Sequence, residues 1–258
     1  MSVSAPSLSR IVQYLEYRKV FKSHRDIGAY RAVRDHPERF TEAVALSLRA
    51  VPNGPLWCRP NTMDPITLWD AFFYGVHLPT FPLTHARTIL DLGANAGYTA
   101  ASFAAKYPDA TVVAVEMDAD NASICTRNVG QFGGRCHVIH KAIWSTRGTV
   151  SYGGNNVHNY SIASPSESSL SAEASMLDDI LDRLELHEVD YLKMDIEGAE
   201  ASVLQSPIRW ASRVLNMSVE VHPPATMQEC RDVLVQHGFE CRIHPQHPRS
   251  LVARRPQP

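Results

Sequence analysis

The segment Asp91-Leu92-Gly93-Ala94-Asn95-Ala96-Gly97 decides how this chain folds. It follows the apolar run 88–90 and precedes a helical stretch, 98–107, that ends before Pro108. Its small residues allow a tight turn and let a ligand approach the backbone. The helix after the turn presents free N–H groups, which favour a bound carboxylate. The segment therefore predicts a ligand-binding turn between the first strand and the first helix of a parallel sheet.

Further apolar runs of strand length follow this turn. Helical stretches separate the first five strands, which is the pattern of a parallel sheet, and continuous apolar runs indicate strands buried on both faces. We therefore predict that residues 86–258 form a Rossmann-like α/β domain of about seven mostly parallel strands, with helices on both faces. The later strands are predicted at residues 111–115, 136–140, 189–194, 214–221, 239–243 and 251–253.

Residues 1–85 are predicted to form a helical appendage. A second helix is expected to begin near Pro37, and a third at Asp64-Pro65, where Asp can cap free amides and Pro is tolerated in the first turn. The first helix is expected to bury one face, formed by Leu8, Ile11, Val12 and Leu15.

Residues 153–171 interrupt the alternation of strands and helices, and they are rich in Gly, Asn and Ser. Just before them, residues 149–152 could pair as one arm of a hairpin. A loop this long inside a compact domain is usually functional or disordered. Since it borders the expected cleft, we favour a substrate-facing lid over an unstructured insertion.

Composition narrows the classes of function. The chain has 258 residues, 44% of them hydrophobic, and a formal net charge of -2. No basic stripe suggests nucleic acid as a partner, and no apolar stretch is long enough for a membrane-spanning helix. The five cysteines lack the spacing of a zinc site, and the first residues do not resemble a signal peptide. We expect a cytoplasmic protein, and its oligomeric state is left open.

Polar residues follow the predicted strand ends, where open parallel sheets bind ligands. An acid before the Gly-rich turn repels a pyrophosphate but tolerates the cationic tail of S-adenosylmethionine, and Glu116 suits the ribose hydroxyls. A methyl donor is therefore favoured. An NAD-dependent oxidoreductase and a non-catalytic cofactor-binding scaffold are the alternatives. The residues at the strand ends are Asp91, Glu116, Lys141-Ala142, Asp195 and Glu220-Val221-His222.

A narrower motif follows the fourth strand. Lys193-Met194-Asp195-Ile196-Glu197-Gly198-Ala199-Glu200 is similar to the K-x-D-x-E-G-x-E signature of the FkbM family of class I S-adenosylmethionine-dependent methyltransferases. Met176-Leu177-Asp178-Asp179 resembles the family's T-L-D-D segment, and Arg59-Pro60-Asn61-Thr62-Met63-Asp64 its R-x-x-T-S-D stretch. The resemblance covers about residues 57–222. It implies O-methylation of a hydroxyl on a sugar, glycolipid, polyketide or related metabolite, and hence a small-molecule or glycolipid acceptor.

The resemblance also implies site residues by position. Glu116 binds the ribose, Met117 and Ala142 flank the adenine, and Asp195 lies where the methyl group projects. Arg59 and Asp64 are expected to close the site. The residues implied at the methionine end of the cofactor are Gly93, Ala94, Asn95, Gly97 and Tyr98, beside Asp91.

Catalysis is predicted from the ends of the fourth and fifth strands. Glu220 and His222 are two apart on one strand, so their side chains should share a face, with Asp195 on the neighbouring strand. The simplest hypothesis makes His222 a general base with an ordinary pKa of about 6.5. Alternatively, Asp195 holds a divalent metal with Glu220 or His222, or His222 merely ends the strand.

Overall fold

The computed structural model describes residues 8–153, 161–162, 170–205 and 208–256. The chain folds as two compact units, Met1–Gly75 and Val76–Pro258. The first unit ends at Gly75, which adopts the left-handed conformation, with φ 64°, that ends a helix, and the predicted boundary at residue 85 stays a prediction.

The first unit combines helices with a small antiparallel sheet. Its interior contains packed aromatic rings, among them Tyr17, Phe21, Tyr30 and Trp69. In chain order its elements are α1 (Leu8–Val20), α2 (His24–Asp35), a 3-10 turn (Pro37–Arg39), β1 (Val44–Leu46), β2 (Leu56–Cys58), α3 (Asp64–Trp69) and a π-helical turn (Asp70–Tyr74).

Two predictions for this unit are wrong. No α-helix begins at Pro37, where the chain forms only a short 3-10 turn before it enters β1, and α2 starts earlier, where the Ser23 side chain accepts the Asp26 N–H. The side chains of Val12 and Leu15 are exposed, because α1 buries the face that carries Tyr17 and Val20. A third helix does begin at Asp64-Pro65, as predicted.

The second unit contains all seven predicted strands of the main sheet. Its helices are α4 (Tyr98–Lys106), α5 (Ala119–Val129), α6 (Leu177–Arg183), α7 (Glu200–Gln205) and α8 (Met227–Gln236), with 3-10 turns at Gly130–Arg135 and Arg209–Arg213. Its strands are β3 (Thr88–Leu92), β4 (Thr111–Glu116), β5 (Cys136–His140), β6 (Ala142–Ile143), β7 (Gly148–Gly153), β8 (Ser161–Ile162), β9 (Leu170–Ser175), β10 (Tyr191–Met194), β11 (Asn216–Glu220), β12 (Glu240–His244) and β13 (His247–Arg254).

The main sheet has the order β12-β13-β11-β10-β3-β4-β5. Only β13 runs antiparallel to its neighbours, β11 and β12. From β3 the chain proceeds to β4 and β5 on one side and returns to β10 on the other, so the strand order reverses between β3 and β10. Ligands bind outside the carboxyl ends of the strands at such a reversal. The predicted Rossmann-like α/β class is confirmed.

A second sheet, β6-β9-β7-β8, forms where the predicted interruption begins. Residues 149–152 pair antiparallel with β9, as expected of a hairpin arm. Most of the predicted lid, residues 154–160 and 163–169, lies outside the described residues, so its function stays a prediction. Among the helices that the structure describes, each is too short or too polar to span a bilayer.

Gly93 marks a close approach between β3 and β10. Its φ is 77°, and a Cβ atom built on it would lie 1.7 Å from the backbone oxygen of Asp195. Only a residue without a side chain fits there. The ligand-binding turn and the end of β10 are therefore in direct backbone contact.

We predict that Gly93→Ala destabilises the second unit by roughly 2–4 kcal/mol, because it adds both left-handed strain and overpacking. Gly134→Ala is the matched control, since a Cβ atom there meets nothing within 4 Å. Urea unfolding measures both free energies. Equal values for the two variants would contradict the close approach.

Candidate active site

The turn after β3 is fixed by the end of β4. The N–H groups of Gly93 and Ala94 donate to the Val115 oxygen at 2.9 and 3.1 Å. Asn95 adopts a positive φ of 48°, and Gly97 caps α4 in the left-handed conformation. The predicted turn thus stands between the carboxyl ends of two parallel strands.

Glu116 lies against this turn, at the end of β4. Its carboxylate accepts the N–H groups of Asn95, at 2.8 Å, and Asp118, at 2.9 Å. Burial raises the pKa of Glu116, although these two hydrogen bonds act in the opposite direction. A carboxylate has about four acceptor sites, so capacity remains for hydroxyl donors.

The two residues implied for the adenine belong to one apolar cluster. Met117 packs against the small apolar core of the second sheet, to which Ala142 belongs. Ala142 itself is buried on β6. Tyr98 and Ala94, implied for the methionine end, are also buried, at the start of α4 and in the turn.

Asp91 is buried near the end of β3. The residue has no exposed surface, and its carboxylate accepts the Thr99 hydroxyl and pairs with Lys193. Its side chain therefore binds a cation inside the protein. A role of Asp91 in lining the cofactor stays a prediction.

Lys193 belongs to the sequence motif, but its role as a buried counter-ion was not predicted. Its ammonium lies 3.2 Å from an oxygen of Asp91 and 3.2 Å from an oxygen of Asp195, and it donates to the Gly93 carbonyl. Burial lowers the pKa of Lys193, but the two carboxylates more than compensate and raise it. A lysine within an otherwise apolar strand of a buried sheet was the available signal, because such a charge needs acidic partners.

Asp195, Glu220 and His222 converge at the ends of β10 and β11. His222 Nε2 lies 3.9 Å from Asp195, 3.7 Å from Glu197 and 3.5 Å from Glu220. One potential ligand atom from each of Asp195, Glu220 and His222 lies within 4.8 Å of the others. The expected meeting of these three side chains is present.

Glu200 holds the opposite side of the His222 ring. Its carboxylate is fully buried and lies 3.0 Å from His222 Nδ1. It also accepts the backbone N–H groups of Ile196, at 3.1 Å, and Gly198, at 3.0 Å. An ionised carboxylate can only accept, so Nδ1 is the donor. The position of Glu200 near a helix start did not reveal this contact, because His222 follows a different strand.

The ordinary pKa expected for His222 is wrong. Burial lowers its pKa, but hydrogen bonds to Glu200 and Glu220 and the charge of Asp195 outweigh burial and raise it to about 10. The raised pKa favours the imidazolium form, which has no lone pair with which to accept a proton. Burial also raises the pKa of Asp195, and it raises that of Glu197 to about 7.

Arg59 and Asp64 pair with each other within the first unit. The guanidinium donates to both oxygens of Asp64, at 2.8 and 3.0 Å, and the Arg59 backbone N–H donates as well. The carboxylate therefore binds Arg59 at the start of the helix. Closure of the site by these residues stays a prediction.

Replacing Lys193 with Met should cost about 3–5 kcal/mol of unfolding free energy, because it leaves buried carboxylates without their cation. Lys106→Met is the control, since Lys106 is exposed in the last turn of α4. Equilibrium denaturation compares the two. A loss no larger than that of the control would show that the buried pairs are unimportant for stability.

Comparisons with known proteins agree with this architecture. The sequence profile described as the methyltransferase FkbM domain matches residues 91–241. No curated protein matches the chain.

The chain is also similar to solved structures, among them the two whose identity, TM-score and coverage follow. Precorrin-6y C5,15-methyltransferase from Geobacter metallireducens is 11% identical, with a TM-score of 0.43 over 67% of this chain and 84% of that one. Fibrillarin from Aeropyrum pernix, bound to S-adenosylmethionine, is 16% identical, with a TM-score of 0.43 over 70% of this chain and 73% of that one. At such distances, the substrates of these proteins say nothing about this chain.

Proposed function

The chain belongs to the FkbM family of S-adenosylmethionine-dependent methyltransferases, and from this premise we propose that it methylates a hydroxyl group of a sugar, glycolipid, polyketide or related metabolite. The observation that carries the proposal is the convergence of Asp195, Glu220 and His222 beside the cofactor turn. Methyl transfer to a hydroxyl releases a proton, and this cluster offers carboxylates at the place where the reacting groups should meet.

The cofactor is assigned to the carboxyl ends of β3, β4 and β5. Glu116 binds the ribose hydroxyls, while Met117 and Ala142 contact the adenine. The small residues of the turn admit the methionine end close to the backbone. This assignment is supported by the hydrogen bonds that place Glu116 against the turn and by the shared packing of Met117 and Ala142. The residues assigned to the methionine end are Gly93, Ala94, Asn95, Gly97 and Tyr98.

We predict that Glu116→Gln weakens S-adenosylhomocysteine binding at least about tenfold, since a hydrogen bond to a charged group contributes about 1.5–3 kcal/mol. Glu188→Gln, which changes an exposed carboxylate, should leave the affinity unchanged. Titration calorimetry measures both. Tight binding of NAD instead of S-adenosylhomocysteine would contradict the assigned cofactor site.

Asp195 is assigned as the group that accepts the hydroxyl proton. It directly follows β10, its backbone oxygen lies against Gly93, and part of its side chain remains exposed. His222, already protonated, acts as a positive neighbour for the carboxylates and not as the base. Glu220 completes the cluster and also pairs with Arg249 at 3.2 Å.

A divalent cation is the second candidate for activating the hydroxyl. Two carboxylates and an imidazole within 4.8 Å are a donor set that Mg²⁺ or Mn²⁺ could accept. A bound cation would lower the pKa of a hydroxyl acceptor directly. Asp195 and Glu220 would hold it, together with His222 once that ring has lost a proton.

A screen of hydroxylated acceptors with isotope-labelled donor tests the reaction. We expect transfer to oxygen, a loss of roughly a hundredfold or more in kcat for Asp195→Asn, and no loss for Asp120→Asn, an exposed control. Activity that persists with chelator supports Asp195 as the base, whereas loss on chelation that Mg²⁺ restores supports the cation. Transfer only to nitrogen or carbon would overturn O-methylation.

A further inference from the structure

Glu200 connects two parts of the active site that are distant in sequence. It is the first residue of α7, which has six residues, and its carboxylate is fully buried. Three donors surround it: Nδ1 of His222 and the backbone N–H groups of Ile196 and Gly198. A carboxylate with this many well-placed donors is held in one position.

The two backbone donors belong to the turn after β10. This turn carries Asp195 and Glu197, and its backbone is unusual, with φ values of 50° at Glu197 and 98° at Gly198. A non-glycine residue in the left-handed region needs support from its surroundings. Glu200 provides it, because its two oxygens accept one N–H on each side of Glu197.

The hydrogen bond from His222 Nδ1 to Glu200 determines the orientation of the His222 ring. With Nδ1 bound to Glu200, Nε2 is the ring atom that lies 3.9 Å from Asp195 and 3.5 Å from Glu220. Rotating the ring by half a turn would break the 3.0 Å contact with Glu200. The same carboxylate thus orients the imidazole and holds the turn that presents Asp195.

We propose that Glu200 is a positioning residue of the methyl transfer, which acts through His222 by directing Nε2 toward the reacting carboxylates. The proposal rests on the proposed function, in which Asp195, Glu220 and His222 surround the acceptor. It differs from a stabilising role at a helix start, because part of its effect on the reaction passes through the His222 ring.

A double-mutant cycle separates these roles. We expect Glu200→Gln, which keeps the shape but removes the charge, to lower kcat roughly 10- to 100-fold, as loss of an orienting partner does. In a His222→Ala background the same substitution should lower kcat by a clearly smaller factor, because only its effect through the turn at 195–198 remains. Glu229→Gln is the control: Glu229 also accepts a backbone N–H, at Thr226, but in the cap of α8. It should leave kcat unchanged.

Unfolding midpoints measured on the same variants reveal any purely structural effect. If Glu200→Gln lowers kcat by the same factor with and without His222, the proposed coupling is wrong. If His222→Ala retains wild-type kcat, it is wrong as well, while O-methylation itself stands.

An NMR measurement, which needs no methyl acceptor, tests the contact between Glu200 and His222 even if the proposed reaction is wrong. In ¹⁵N-labelled protein, the Nδ1–H proton of His222, assigned by its absence in His222→Ala, should resonate downfield because its acceptor is charged. We expect it to move upfield in Glu200→Gln and to stay in place in Glu229→Gln. An unchanged resonance in Glu200→Gln would overturn the proposed contact, whatever the substrate proves to be.

Discussion

The ammonium of Lys193, placed between Asp91 and Asp195, is the interaction on which the rest of the active site depends. Asp91 and Asp195 stand on adjacent strands, β3 and β10, where the strand order reverses. Two carboxylates this close together in a buried place would repel each other and lose hydration. The cation between them offsets both effects. The turn that begins after Asp91 and the cluster that begins at Asp195 therefore share one counter-ion.

The same two strands also fix the distance between the Gly-rich turn and Asp195. Gly93 lies directly against the Asp195 backbone, and its own carbonyl accepts from Lys193. On the proposed assignment, packing and charge thus connect the cofactor side of the site directly with the acceptor side, through the neighbouring strands β3 and β10. Methyl transfer is an in-line displacement, and alignment of donor and acceptor contributes up to about 7–11 kcal/mol to such reactions. Rigid attachment of both sides to neighbouring strands is the simplest way to obtain that alignment.

The sequence predicts the second unit well and the first unit poorly, for one physical reason. Strands buried in a parallel sheet are continuous apolar runs, so each was recognisable by itself. In the first unit the elements are short, and apolar residues near Val44 fit a helical period as readily as a strand. The pairing of β1 with β2 decides between them, and that contact is absent from local sequence. The contacts of Lys193 with Asp91 and of His222 with Glu200 were hidden for the same reason, because each joins residues that are far apart in the sequence.

His222 shows how contacts between residues that are distant in sequence change the pKa of a side chain. A histidine is expected to have its ordinary pKa, yet hydrogen bonds to Glu200 and Glu220 and the charge of Asp195 raise the pKa of His222 and favour its positive form. On the proposed assignment, the charge of the site is then conserved through the reaction. The sulfonium of the donor becomes a neutral thioether as the methyl group leaves, while the hydroxyl proton passes to the carboxylate of Asp195. One positive charge is lost at sulfur and one negative charge is lost at Asp195, so the net charge of the site does not change, and Lys193 keeps its ion pair with Asp91.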